Sequence, residues 1–335
     1  MAASQEGAWN MTKLRWGLLS TARINRALIP AIRASARGEL MAVASRDGER
    51  AQEYAAQWGI PRAYGSYEEL LADPDVDVIY NPLPNHLHAP WSIRALEAGK
   101  HVLCEKPFAL NVADVDAMFA AARRAGRAIA DGFMYRHHPR ILKARELVQG
   151  GAIGEVRVLL ASFSFTLDRP TDTRWDAQMG GGALWDVGCY PVSLARYIFG
   201  EAPTRVSGWA KTTPAGVDET FAGTLHFGDD AIAQFDCSFA VPFRTRAEIA
   251  GTQGTLTLNM PFRPDAPEST LILRCGDASE TVATPDLGRY LAEVDDLHAQ
   301  ALDGKAPEIP EQETRDNIET IVRLYQAAGG GPAAA

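Results

Sequence analysis

LRWGLLSTARINRAL, residues 14–28, runs from an apolar stretch through a turn of small residues into a segment with helical spacing. A strand entering a helix through a short turn is the opening half of a βαβ unit, and that turn is where a dinucleotide's phosphates rest. The glycines of G-x-G-x-x-G are missing, however, with Ser20, Ala22 and Asn25 in their places. Two readings fit. In one, the turn is a phosphate cradle: Ser20 and Ala22 are small enough to let a pyrophosphate approach, the Ser20 and Thr21 hydroxyls donate to it, and the helix start adds free N–H groups. In the other, it is an ordinary strand-to-helix turn.

The alternation continues outward. Strands are expected at 14–19, 40–45, 76–80 and 101–104, and helices at 22–34, 49–58 and 88–98. A short helix opens at the S-x-x-E box of Ser66 and Glu69, and another runs from a cap at Asn111 to residue 124, with Gly126 beyond its end. Strands separated by helices imply a doubly wound parallel sheet whose carboxyl edges share one crevice. Beyond about residue 130 the period changes. Val156, Val158 and Leu160 alternate, then Phe163, Phe165 and Leu167. Segments 224–227 and 231–239 flank the turn GDD, and segments 246–250 and 255–258 flank GTQG, so an open, mainly antiparallel sheet is predicted. A helix over 314–327 closes the chain.

The fold class is therefore α/β followed by α+β. The expected division is a disordered extension over 1–12 (with Met11 an alternative start), a dinucleotide-binding domain over 13–131, an α+β substrate and oligomerisation domain over 132–328, and a disordered tail over 329–335. The last helix is free to pack back on the first domain.

With 335 residues, 46% hydrophobic and 22% charged, the chain has the composition of a two-domain globular protein. A net charge of −9 argues against nucleic acid or an acidic membrane surface as partner. Cys104, Cys189, Cys237 and Cys275 form no C-x-x-C pair, which suits a reducing compartment and no zinc site. His137 and His138 lack a third ligand at usable spacing, so no metal is expected. No run reaches about 18 apolar residues, and the start lacks the apolar core of a signal peptide. A cytoplasmic location is expected.

The second strand ends in SRDGER, with Ser45 and Arg46 where an NAD-binding fold carries a carboxylate for the ribose. A hydroxyl and a guanidinium fork, with Arg50 one turn on, suit a 2′-phosphate, so NADP is preferred. The alternative is that both arginines merely solvate a helix start. KHVLCEKP, residues 100–107, is an apolar strand ending in Glu-Lys-Pro. Lys106 at its carboxyl end either enters the crevice or is a surface lysine.

KHVLCEKP resembles the signature of the glucose–fructose oxidoreductase, inositol dehydrogenase and MocA family. YNPLPNHLHAPW (80–91), GFMYRHHP (132–139) and TRWDAQMGGGALWDVGCYPVSLARYIFGEAP (173–203) resemble further family stretches in order and spacing. In one branch, holding mostly NADP-dependent sugar and dihydrodiol dehydrogenases, loops of the S-T-A-x-I kind replace the glycines. Ser20, Thr21, Ala22, Arg23 and Ile24 resemble that loop, so the resemblance favours the cradle. It further implies cofactor contacts from Pro82, Leu83, Asn85, His88, Glu105, Lys106, Arg174 and Trp175. For His88 a helix-capping role, and for Trp175 an interdomain packing role, stay open.

Asp186 and Tyr190 are four apart, on one face if the segment is helical, with a kink expected because Pro191 has no N–H for the Val187 carbonyl. Many family members carry histidine where this chain has Tyr190; tyrosine resembles the glucose–fructose oxidoreductase branch. The alternative is a tyrosine packed in the core. The expected chemistry makes Tyr190 the acid/base, its pKa lowered by Lys106, with Asp186 holding a substrate hydroxyl or orienting the lysine. Phe165, Tyr135, Arg136 and His138 are further candidates for reading the substrate. The implied function is an NADP-dependent oxidoreductase acting on a secondary or hemiacetal hydroxyl of a sugar or related cyclic polyol, with NADP exchanged or held tightly. Alternatives are a trans-dihydrodiol dehydrogenase, a keto-sugar reductase, or a non-catalytic dinucleotide-binding regulator. A homodimer or homotetramer is implied.

Overall fold

A computed structural model describes residues 12–330. The expected extension over 1–12 and tail over 329–335 thus fall almost wholly outside the described residues. The opening apolar run becomes β1 (Leu14–Leu19), followed by α1 (Asn25–Ala34), β2 (Gly38–Ala44), α2 (Gly48–Trp58), β3 (Arg62–Tyr64) and α3 (Tyr67–Ala72). Then come β4 (Val78–Asn81), α4 (His88–Glu97), β5 (His101–Glu105), α5 (Val112–Ala125) and β6 (Ile129–Gly132). The strands pair in parallel in the order β3-β2-β1-β4-β5-β6. Because helices cover both faces, the strands read as continuous apolar runs: Trp16, Leu18, Val78, Ile79, Val102 and Leu103 are all fully buried. The order reverses between β1 and β4, and there the loops part into a crevice. Local signals set the helix ends. Asn111 accepts from the Asp114 N–H at 2.8 Å, and Gly126 stops α5 in a left-handed conformation.

The second half begins with α6 (Pro139–Gln149) and β7 (Val156–Ser164) and continues through α7 (Cys189–Phe199). It then lays down β8 (Arg205–Thr212), β9 (Asp218–Phe227), β10 (Ala231–Ser238), β11 (Arg244–Gly251), β12 (Thr255–Asn259), β13 (Thr270–Cys275) and β14 (Ala278–Thr281). The sheet order is β14-β13-β12-β11-β7-β10-β9-β8, antiparallel except where β7 meets β10. That one parallel pair is reached by a long connection carrying α7, as parallel pairing requires. Core-facing residues alternate along the central strands, with Leu159, Ala161 and Phe163 on β7 matched by Ala233, Phe235 and Cys237 on β10.

Two helices close the chain, α8 (Leu291–Asp303) and α9 (Glu311–Ala327); α8 packs on α1 and β6 of the first half, and α9 lies between α5 of the first half and α7 and β8 of the second. On α8, His298 Nε2 accepts from Trp16 Nε1 at 2.9 Å. On α9, Thr314 Oγ1 donates to Asp131 Oδ2 on β6 at 3.2 Å. Among the described residues no helix is long and apolar enough to cross a membrane.

Candidate active site

β5 ends at Glu105, so Lys106 leaves the sheet at its carboxyl edge and reaches the start of α7. Its ammonium donates to the Asp186 carboxylate at 2.9 Å and to the Asp186 carbonyl at 2.7 Å. The other Asp186 oxygen accepts from Arg174 Nε at 2.7 Å, and Arg174 continues to Asp172 at 3.2 Å. Burial alone would raise the Asp186 carboxyl, but Arg174 and Lys106 outweigh it and hold it well below the usual carboxylate range. Burial likewise opposes the Lys106 charge, and Asp186 overcomes it, raising the ammonium's pKa. The site therefore contains a fixed lysine cation and a fixed carboxylate from opposite halves of the molecule.

The segment before α7 is not an ideal α-helix. It widens into a π-helical turn over Leu184–Gly188 that runs straight into α7, with Pro191 third in the helix. The departure from an ideal helix that Pro191 predicts takes the form of this π turn, whose extra residue accommodates the missing N–H. In a π turn the Asp186 carbonyl would look to residue 191, a proline without a donor, and Lys106 takes that acceptor instead. Upstream, Gly181 and Gly182 fold the 173–182 loop tightly over itself. A Cβ on Gly181 would lie 2.4 Å from the Arg174 carbonyl oxygen. Gly182 has φ +130, and a Cβ there would meet Asp218 at 2.1 Å. The triple glycine thus lets Arg174 reach Asp186.

Tyr190 sits in an aromatic box, its ring 5.4 Å from Phe133, 5.2 Å from Phe163 and 5.3 Å from Phe262. Lys106 Nζ lies over the ring, 5.2 Å from its centroid. This corrects the expectation that the lysine lowers the phenol's pKa. Burial pushes the phenol well above its ordinary range, and Glu105, Cys189 and Asp186 add to the rise. These influences favour the protonated phenol.

At the opening loop, Ser20 takes φ +77, a conformation that favours glycine, and the buried Asn25 side chain holds the Ser20 carbonyl at 2.9 Å. Thr21, Ala22 and Ile24 are half-buried beside it and Arg23 is exposed. α1 begins at Asn25 rather than at residue 22, and the N–H groups of Asn25, Arg26 and Ala27 donate back to the Ala22, Arg23 and Ile24 carbonyls of the turn. At the end of β2, Ser45 is buried and accepts from the Asp47 N–H at 3.2 Å, while Arg46 and Arg50 are exposed. Neither arginine has a carboxylate partner among the described residues. A turn of small residues with Ser20 in a glycine-like conformation, and two exposed guanidinium groups without carboxylate partners after the second strand, fit a dinucleotide with a 2′-phosphate.

Other expected site residues lie elsewhere or do other work. Pro82 and Leu83 line the turn after β4, and Asn85 donates to the Gly180 carbonyl at 2.8 Å, tying the halves together. His88 neither faces the crevice nor caps α4. It is buried, its ring nitrogens 2.8 Å from the Leu83 carbonyl and 2.7 Å from that of Pro107, and burial lowers its pKa to about 4. Glu105 turns inward, accepting from Tyr80 Oη at 2.6 Å and from the Lys106 N–H at 3.3 Å. Tyr135, Arg136 and His138 are corrected as substrate readers, because all three are buried and spent on contacts within the protein. Tyr135 donates to Ser193 at 2.8 Å, Arg136 pairs with Glu313 and stacks on Tyr197, and His138 caps α6. Trp175 and Phe165 are half-buried and both contact Phe239, a residue the sequence reading missed, as it missed Asp172 and Tyr80. Among the described residues no three His, Cys, Asp or Glu side chains group to hold a metal.

Two family models match. One describes an oxidoreductase family with an NAD-binding Rossmann fold, over residues 14–133, and the other a GFO/IDH/MocA C-terminal domain, over residues 141–257. The chain is 38% identical to D-xylose 1-dehydrogenase (NADP(+)) 2 of Haloferax volcanii, covering 96% of this chain and 99% of that one. It is 37% identical to trans-1,2-dihydrobenzene-1,2-diol dehydrogenase of Mus musculus, over 75% of this chain and 76% of the other. Among solved structures, a 3-ketoreductase from Actinomadura kijaniata in complex with NADP and TDP-benzene superposes with a TM-score of 0.88 at 29% identity, covering 94% of this chain and 98% of that one. Structures of that reductase with a lysine or a tyrosine replaced are similar too.

Proposed function

The chain belongs to the GFO/IDH/MocA oxidoreductase family, and on that premise we propose that it moves hydride between NADP and a ring carbon bearing a secondary or hemiacetal hydroxyl, on a sugar or related cyclic polyol. The observation carrying this reading is the meeting of Lys106 with Asp186 and Tyr190 across the two halves, 2.9 Å from one and over the ring of the other. The nicotinamide, when bound, supplies the hydride donor or acceptor. Ser20, Thr21 and the turn before α1 would hold its phosphates, and Arg46 and Arg50 the 2′-phosphate. Tyr190 gives a proton to, or takes it from, the substrate oxygen. Lys106 donates a charge-assisted hydrogen bond to that oxygen, and Asp186 with Arg174 fixes the lysine.

Lys106→Ala and Tyr190→Phe should each lower kcat by about 100-fold or more while NADP affinity, read by fluorescence of the bound reduced cofactor, stays close to wild type. Wild-type turnover in both variants refutes the assignment. A dihydrodiol substrate is a second reading, favoured by the rings of Phe165 and Trp175 packed about Phe239, which offer an apolar wall to an unsaturated ring. A homodimer or a tetramer of dimers is supported by the uncovered face of the larger sheet. That face exposes Leu160 and Trp209, 43% and 61% accessible, beside a groove of about 450 Å³ bordered by Asp236, Arg244 and Glu248. Four free cysteines support a reducing, cytoplasmic location.

A further inference from the structure

Glu105 and Lys106 are neighbours, yet their side chains do not pair. The Lys106 ammonium goes to Asp186, and the Glu105 carboxyl goes to Tyr80 Oη at 2.6 Å, deep under the sheet edge. Tyr80 is fully buried on β4, next to β5 in the sheet, and its register partner on β5 is Leu103, two residues before Glu105. The second Glu105 oxygen accepts from the Lys106 N–H at 3.3 Å. One phenol therefore holds the carboxyl that would otherwise be the nearest competitor for the lysine.

We propose that Tyr80 is a positioning residue for the reaction: by bonding Glu105 inward, it keeps the Lys106 ammonium presented to Asp186 and to the substrate oxygen. The inference rests on the reading of Lys106 given above. Without the Tyr80 hydroxyl, an ionised Glu105 swings to the adjacent ammonium, and the lysine leaves Asp186. Groups facing Glu105 are Tyr80 from β4, Lys106 beside it, Asp131 from β6, Asp186 from the π turn, Tyr190 from α7, Tyr290 just before α8 and Glu293 within it. Burial and the Asp186 charge resist Glu105 ionisation, while Lys106 and the Tyr80 hydrogen bond favour it, and the competition grows as pH rises.

The test is Tyr80→Phe, measured in the full-length enzyme with NADP(H). Expected are a fall in kcat of about 100-fold, as a misplaced catalytic group gives, that deepens as pH rises, with NADP affinity unchanged. Adding Glu105→Gln should restore most of the loss and remove its pH dependence, since an amide cannot ionise; a merely structural role for the phenol predicts no such rescue. A crystal structure of Tyr80→Phe should show Lys106 Nζ on Glu105. Lysine still on Asp186, or a double variant as impaired as the single one, overturns the inference. Crystallographic placement keeps this separate from the functional reading, because Lys106 can move to Glu105 whether or not Lys106→Ala abolishes turnover.

Discussion

Tyr190 keeps its proton because of where it sits. Phe133, Phe163 and Phe262 exclude water from its ring, and Glu105, Cys189 and Asp186 oppose a phenolate, with Arg289 as the cation that eases it. A phenol held above its ordinary pKa is ready to donate to a carbonyl oxygen at neutral pH, but it accepts a proton only after losing its own. The two directions should therefore respond oppositely to pH. Reduction of a keto substrate should be flat through neutrality and fall at alkaline pH, as Tyr190 ionises. Oxidation of the hydroxyl should climb with pH over the same range. kcat profiles in both directions check this, with Tyr190→Phe as the control that flattens both. Oxidation at full rate near pH 6 and constant to pH 9 would show that another group takes the proton.

At the scale of elements, the 173–182 loop decides whether Arg174 reaches Asp186. Gly181→Ala forces the Arg174 carbonyl away from a Cβ that would lie 2.4 Å from it. A loss of about 1–3 kcal/mol of stability is expected from the overpacking, together with a drop in kcat that the stability loss does not explain. Gly200→Ala is the contrast. Its φ is +76 but its Cβ meets open space, so a cost of about 1 kcal/mol in melting experiments with unchanged kcat is expected. The same elements show what could be read from the chain. β5 and its lysine were legible because an apolar run ending in Glu-Lys-Pro is a local signal, and α5 because Asn111 and Gly126 mark its ends. β14 and β8 were not, since edge strands bury little: no residue of β8 is fully buried and every residue of β14 is exposed. The fate of Arg136 was hidden for another reason. Its partner Glu313 lies 177 residues away, and only the return of α9 turns an apparent surface arginine into a buried ion pair.

The whole molecule depends on that return, and Asp131 reports it. Its Oδ2 accepts from Thr314 of α9, its Oδ1 has no partner, and burial pushes its pKa up to about 8. An unfolded aspartate titrates near about 3.9. The folded value is the higher one, so the stability gained from the protonated carboxyl is complete below about 3.9 and drains away as pH rises to about 8. His88 and His298 act oppositely. Burial lowers both to about 4, so their contribution is present above about 6.5 and lost as pH falls through about 4. Between about pH 6.5 and 8 the histidines are silent and Asp131 still titrates. Over that window Tm of the wild type should fall while Tm of Asp131→Asn falls less, the gap widening with pH. The variant's curve should be shallower, not flat, because Glu105 and Glu293 are also pushed up by burial and drain in the same sense. Parallel curves across the window would remove Asp131 as the titrating group, and with it the idea that the seam between β6 and α9 sets the alkaline limit of the fold.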